Sequence, residues 1–150
     1  ICSQVVARRM RATGGGSIVN MTSIAGIQPN VNGGSYGSAK AGLHLLTRQM
    51  SVEWGGYGIR VNSVAPGFID GGMSAPIFKD AEIRSTREER VPSGRLGTVD
   101  DIAHAVLFLC SEEGSYINGN QLVVDGSVTN SLMASFPRPK SVDSVGAGES

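Results

Sequence analysis

Three short apolar runs, "SIVNM" (17–21), "IRVNSVA" (59–65) and "QLVV" (121–124), are separated by longer segments of helical periodicity. Runs of this length, rich in β-branched residues, suit strands covered on both faces. Strands that alternate with amphipathic helices are brought back to the same edge each time, so they pair in parallel. The expected order is helix, strand, helix, strand, helix, strand, which gives a doubly wound α/β sheet of three parallel strands with flanking helices. In such sheets ligands sit beyond the carboxyl ends of the strands. Residues that follow a strand are therefore the ones to read for function.

Along the chain, residues 1–12 read as a helix with Val5, Val6 and Met10 apolar, stopped by "GGG" at 14–16. Residues 24–35 read as a loop. From Ser35 to Trp54 a long helix carries Leu43, Leu46, Met50 and Trp54 at spacings of three and four. "GGYG" (55–58) ends it, and Pro66-Gly67 closes the second strand. Residues 71–94, with six charges in "EIRSTREER", read as a partly helical, mobile excursion. "TVDD" offers a capping box, Thr98 with Asp101 three on, and the helix behind it is expected to bury Ile102, Val106, Leu109 and Cys110. Residues 1–136 make a single domain. The tail 137–150, "PRPKSVDSVGAGES", has little to bury and reads as disordered or lying on a neighbouring subunit.

Composition removes several classes. The 150 residues carry 13 Lys plus Arg against 13 Asp plus Glu, so no basic excess points to nucleic acid. No run approaches the roughly 18 consecutive apolar residues of a membrane span. Cys2 and Cys110 are the only cysteines, too few and too far apart for a disulfide framework or a zinc cluster. Cys110 closes "AVLFLC" and reads as inert core packing. His44 and His104 have no carboxylate or cysteine at ligand spacing, so no metal site is expected. The chain opens on Ile1, inside a helix and without methionine, and so reads as a piece of a longer protein.

The chemistry gathers in "SYGSAK" (35–40), where Tyr36 and Lys40 lie one helical turn apart on one face. A phenol is a poor proton-transfer group at neutral pH. A unit cation about 4 Å away contributes roughly 4 kcal/mol at an effective dielectric of ~20. That is enough to make a phenol a working general acid or base. Ser23 follows the first strand and offers a hydroxyl to hold a substrate oxygen.

With these residues the chain resembles the C-terminal half of a short-chain dehydrogenase/reductase. The matching pieces are "GSIVNMTSIAG", "SYGSAKAGL", "GIRVNSVAPGFI", "GRLGTVDDIAHAVLFLCSE" and "GNQLVVDGS", which cover about residues 1–128 in family order and spacing. The resemblance implies a Rossmann-like fold and a hydride transfer between NAD or NADP and a small alcohol or carbonyl substrate. It implies that Tyr36 is the acid/base and Ser23 the ligand of the substrate oxygen, with Lys40 acting on the phenol and holding the nicotinamide ribose. Pro66, Gly67 and Ile69 would lie along the nicotinamide, the Ile69 amide reaching its carboxamide, and residues 71–94 would cover the substrate. It also implies a cytoplasmic homo-oligomer, dimer or tetramer, with some of Leu45, Met50 and Trp54 facing a partner. Gly71 and Gly72 stand where the family often has a threonine after "PGFID". The glycine-rich phosphate turn, the residue reading the adenosine ribose, and the asparagine of the proton relay have no counterpart in these 150 residues.

Two other classes remain in view. A chain without the phosphate-binding turn can be a non-catalytic fragment or interaction module. A serine hydrolase using Ser23 with His44 or His104 lacks the G-x-S-x-G elbow around Ser23 and a carboxylate to orient either histidine.

Overall fold

The computed structural model describes residues 1–136, and the reading of the 137–150 tail lies outside the described residues. Its elements follow the expected alternation: α1 (Cys2–Ala12), β1 (Gly16–Met21), α2 (Ser35–Trp54), β2 (Ile59–Pro66), β3 (Ile69–Asp70), α3 (Ala81–Arg90), β4 (Gly97–Thr98), α4 (Val99–Cys110) and β5 (Gln121–Val124). The main sheet has the order β1-β2-β5, parallel throughout, with Ile18 opposite Val61 and Ser63 opposite Gln121. This is the Rossmann-like doubly wound arrangement. β2 reads as a near-continuous apolar run because it is the middle strand, with Val61, Val64 and Ala65 fully buried.

Pleating sends alternate residues to opposite faces. Ile18 and Val61 turn to one face, where they pack with Ala7 and Met10 of α1 and Met50 and Trp54 of α2. Ser17 and Arg60 turn to the other. There the Ser17 hydroxyl donates to the Leu109 carbonyl (3.3 Å) and the Arg60 guanidinium donates to the carbonyls of Leu109 (2.7 Å) and Ile117 (3.2 Å). Arg60 thereby satisfies the Leu109 carbonyl, one of those left open at the end of α4. The start of α4 is closed by the expected capping box: the Thr98 hydroxyl accepts from the Asp101 amide, and the Asp101 carboxylate accepts from the Thr98 amide. Both Arg95 guanidinium nitrogens also reach Asp101, and together with these bonds they hold its carboxyl well below the usual carboxylate range.

Three features differ from the sequence reading. The first concerns α2. Leu43, Leu46, Met50 and Trp54 formed its apolar series, yet Leu46 is 51% exposed while Thr47 is fully buried and Ser51 nearly so. The helix is rolled toward its polar residues because the sheet beneath offers polar partners. The Asn20 amide donates to the Thr47 hydroxyl (2.9 Å), which in turn donates to the Leu43 carbonyl (2.8 Å). Met50 is in the core with Trp54 packed against it, and Leu45, 64% exposed, is the one of the three candidates for a partner surface that faces outward.

The second is Cys110, which is exposed. Leu109 takes the buried place at the end of α4, and the next residue, about 100° further round, opens onto a cavity of about 680 Å³ beside Arg60 and Tyr116. The third is a separate parallel pairing of β3 with β4, Ile69 opposite Gly97, too short to leave a periodic pattern. Between these strands, the excursion is tied back to the body. Phe78 is buried, Arg84 pairs with Asp70 and Glu88, and the Arg87 guanidinium lies over the rings of Phe68 (4.7 Å) and Phe78 (5.3 Å).

The polar seating of α2 can be tested by an isosteric change. Thr47→Val keeps the shape but leaves the Asn20 amide without its acceptor, so it should cost about 1–3 kcal/mol in chemical denaturation. A face held by apolar contact alone would show no loss.

Candidate active site

All three strands of the main sheet run the same way, so Met21, Pro66 and Val124 bring the chain out at one edge. Thr22, the first residue past β1, is buried and fully engaged. Its amide and hydroxyl both donate to the Val64 carbonyl (2.8 Å each), and its hydroxyl accepts from the Gln121 side chain (2.8 Å). One threonine thus ties the end of β1 to β2 and β5.

Ser23 follows, half-buried, and begins a short 3-10 turn, Ile24–Gly26, whose Ala25 amide donates to the Ser23 hydroxyl oxygen (3.2 Å). The Ser23 hydroxyl proton is not spent on this bond. The turn rests directly on α2. A Cβ placed at Gly37 would stand 2.6 Å from the Ala25 carbonyl oxygen, so only glycine permits that approach. Ser23 is therefore seated against the first two turns of the helix that carries Tyr36 and Lys40.

Lys40 reaches back to the sheet. Its Nζ donates to the Met21 carbonyl (2.8 Å) and lies 5.6 Å from the centroid of the Tyr36 ring. The ammonium has three donors and this bond uses one. Tyr36 is 43% exposed, open to a reactant. Pro66 ends β2 opposite Val124, and the Gly67 amide donates to the Val124 carbonyl (2.9 Å). A Cβ at Gly67 would lie 2.7 Å from Asp125, so the chain crosses the end of β5 here with no room for a side chain. Ile69 stands in β3, beside a small cavity of about 90 Å³ lined by Phe68, Val91 and Asp125 among others.

The structure thus gathers Ser23, Tyr36 and Lys40 where the end of β1 meets the start of α2, with Pro66 and Gly67 on the neighbouring strand end. Ile69 stands further out, in the second pairing. Sequence reasoning missed Thr22, Asn20, His44 and Ser63, which hold this corner together. A signal was present: Lys40, His44, Thr47 and Ser51 recur at intervals of four, three and four, a polar stripe on a helix face. The His44 Nδ1 lies 3.2 Å from the Ser63 hydroxyl of β2. Burial, and to a lesser extent the Arg48 guanidinium, holds the His44 imidazole below its usual range.

The family model described as enoyl-(acyl carrier protein) reductase matches residues 1–129. Cis-4-hydroxycyclohexanecarboxylate dehydrogenase of Sinomonas cyclohexanicum is 42% identical over 129 residues, 86% of this chain and 51% of that protein. The chain belongs to the short-chain dehydrogenase/reductase family. Galactitol 2-dehydrogenase (L-tagatose-forming) of Cereibacter sphaeroides is 40% identical over 85% of this chain and 51% of its own length. Among solved structures, a gluconate 5-dehydrogenase from Burkholderia cenocepacia J2315, in complex with NADP and tartrate, superposes with a TM-score of 0.80 at 34% identity. It is covered over 50% of its length by 85% of this chain. A 7α-hydroxysteroid dehydrogenase complexed with NADH and 7-oxoglycochenodeoxycholic acid has a TM-score of 0.75 at 40% identity, with 83% of this chain and 48% of that one covered. The chain spans about half the length of the relatives it matches.

The His44 shift carries a sign. An imidazole whose folded value is lowered binds its proton more weakly than in the unfolded chain. Stability should then fall as pH drops below the ordinary histidine value of about 6.5 toward the folded one. Thermal midpoints taken between about pH 7.5 and 5.5 should drop more for the native sequence than for His44→Gln.

Proposed function

We propose that this chain is the catalytic half of an NAD- or NADP-dependent oxidoreductase acting on a small alcohol or carbonyl compound. The observation that carries the reading is Lys40, held between the Met21 carbonyl and the Tyr36 ring at the carboxyl edge of the sheet. The donor set fits the nicotinamide end of a dinucleotide. Lys40 has two unspent N–H groups for the vicinal hydroxyls of a ribose, and the Pro66–Ile69 backbone runs along the same edge. A bound nicotinamide would supply the hydride chemistry, giving a hydride to a carbonyl carbon or taking one from a carbinol carbon.

In the reducing direction the Tyr36 hydroxyl gives its proton to the substrate oxygen, and in the oxidising direction the phenolate takes it back. The Ser23 hydroxyl, already oriented by the Ala25 amide, donates its proton to the same oxygen and stabilises the charge that develops there. Lys40, with its ammonium 5.6 Å from the Tyr36 ring centroid, is the cation beside the phenol where this exchange takes place. Residues 71–94, anchored through Arg84 and Arg87, cover the substrate side.

The rest of the dinucleotide requires more chain. The matched relatives are about twice as long, and β1 has no strand on its outer edge among the described residues. The active protein therefore includes a further segment that pairs with β1 and holds the pyrophosphate and adenosine. The outward Leu45 and Val52 of α2 suit a homo-oligomer contact. The alternative, a non-catalytic module, draws its support only from that missing half.

In the complete enzyme, Tyr36→Phe should lower turnover by several orders of magnitude with cofactor affinity nearly unchanged, because only the proton-carrying hydroxyl is lost. Lys40→Met should lower turnover and cofactor affinity together. Near-native turnover of Tyr36→Phe would sink the assignment. Residues 1–150 alone should show no saturable binding when NADH or NADPH is titrated at micromolar concentration and nicotinamide fluorescence is followed. Saturation there would mean that the retained half suffices. Light scattering on the complete enzyme should give a dimer or tetramer, and a monomer at micromolar concentration would remove the homo-oligomer from the proposal.

A further inference from the structure

We propose that His44 is a positioning residue for the acid/base pair: through Ser63 it fixes where α2, and hence Tyr36 and Lys40, stands on the sheet. The apolar anchors of α2 are Met50 and Trp54, ten or more residues beyond Lys40. Apolar contact is non-directional and sets neither the roll nor the height of a helix finely. Hydrogen bonds do. His44 lies one turn past Lys40 and two past Tyr36, about 6 and 12 Å along the axis.

Its partner is fixed from below. The Ser63 amide donates to the Asn120 carbonyl (2.9 Å), and the Ser63 hydroxyl reaches the same oxygen at 3.4 Å. The His44 Nδ1 stands 3.2 Å from that hydroxyl, so either tautomer makes the link: an Nδ1–H donates to the Ser63 oxygen, or a bare Nδ1 accepts the Ser63 proton. Across the ladder Ser63 stands opposite Gln121, whose side chain donates to Thr22, the residue before Ser23. His44 to Ser63, Ser63 to the Asn120 carbonyl, and the adjoining Gln121 to Thr22 thus link the helix that carries Tyr36 and Lys40 to the strand end that carries Ser23. Proton transfer between groups on two elements is sensitive to their spacing, and a displacement of about 1 Å can lower a rate about 100-fold.

The inference rests on the reading of Tyr36 as the acid/base, and the test separates the two. In the complete enzyme, His44→Leu should lower kcat about 10- to 100-fold and leave KM for cofactor and substrate within about threefold. His44→Gln, which keeps a donor near Nδ1, should recover most of the loss. Ser63→Ala should match His44→Leu, and the double variant should be no worse than either single one, because both remove the same link. A kcat within twofold of native in His44→Leu, or losses that multiply in the double variant, overturns the proposal. The imidazole 15N shifts give a reading besides activity: one fixed tautomer in the native protein that is lost in Ser63→Ala supports the link, and a mixture of tautomers in the native protein overturns it. If Tyr36→Phe retains turnover, the acid/base reading fails first. If Tyr36→Phe is inactive while His44→Leu is fully active, only the positioning role is lost.

Discussion

The seam between α2 and the strands beneath it governs the rest of this structure. Lys40, His44 and Thr47 each make a hydrogen bond to β1 or β2, and the Ser51 carbonyl accepts from the Asn118 side chain (3.3 Å). A buried polar contact costs more than it returns unless every partner is satisfied. Among the described residues no buried side-chain nitrogen or oxygen lacks a partner. The seam therefore accepts a single seating of the helix. That is a demanding arrangement for a surface which Leu or Val would fill with less risk, and it suits a helix whose exposed end must present a phenol and an ammonium at a set place.

Much of the fold was legible because parallel strands buried on both faces have little choice of residue. "IRVNSVA" is apolar enough to announce the middle strand, and the helix bounds at Ser35 and Trp54 are marked by glycines on either side. Tyr36, Lys40 and Ser23 were legible through spacing and through the family pattern. The face of α2 was not. Periodicity weights leucine above threonine, whereas the choice was made by Asn20 and Ser63, which lie elsewhere in sequence and meet the helix only after folding. Cys110 was misread for a related reason: an apolar run at the end of a helix does not say which of its last two residues points inward. The pairing of β3 with β4 involves two residues on each side and has no local signature.

The relation to relatives follows from the same geometry. In a sheet of this class ligands lie beyond the carboxyl ends of the strands, the edge at which Ser23, Tyr36 and Lys40 meet here. A parallel edge strand with an open ladder is a template for pairing. β1, half-buried along most of its length, offers such an open ladder among the described residues.

The bridge between β3 and β4 has a consequence of another kind. It closes the neck of the segment that runs from Gly71 to Leu96, so both ends of that segment enter and leave the body side by side. Closing a loop costs free energy only slowly as its length grows. Its interior can therefore lengthen, shorten or change sequence while the neck keeps its geometry and the corner between β1 and α2 stays undisturbed. A fold built this way separates the main sheet from the segment that hangs beside it. Variation inside that segment is thereby uncoupled from the strand ends of the main sheet.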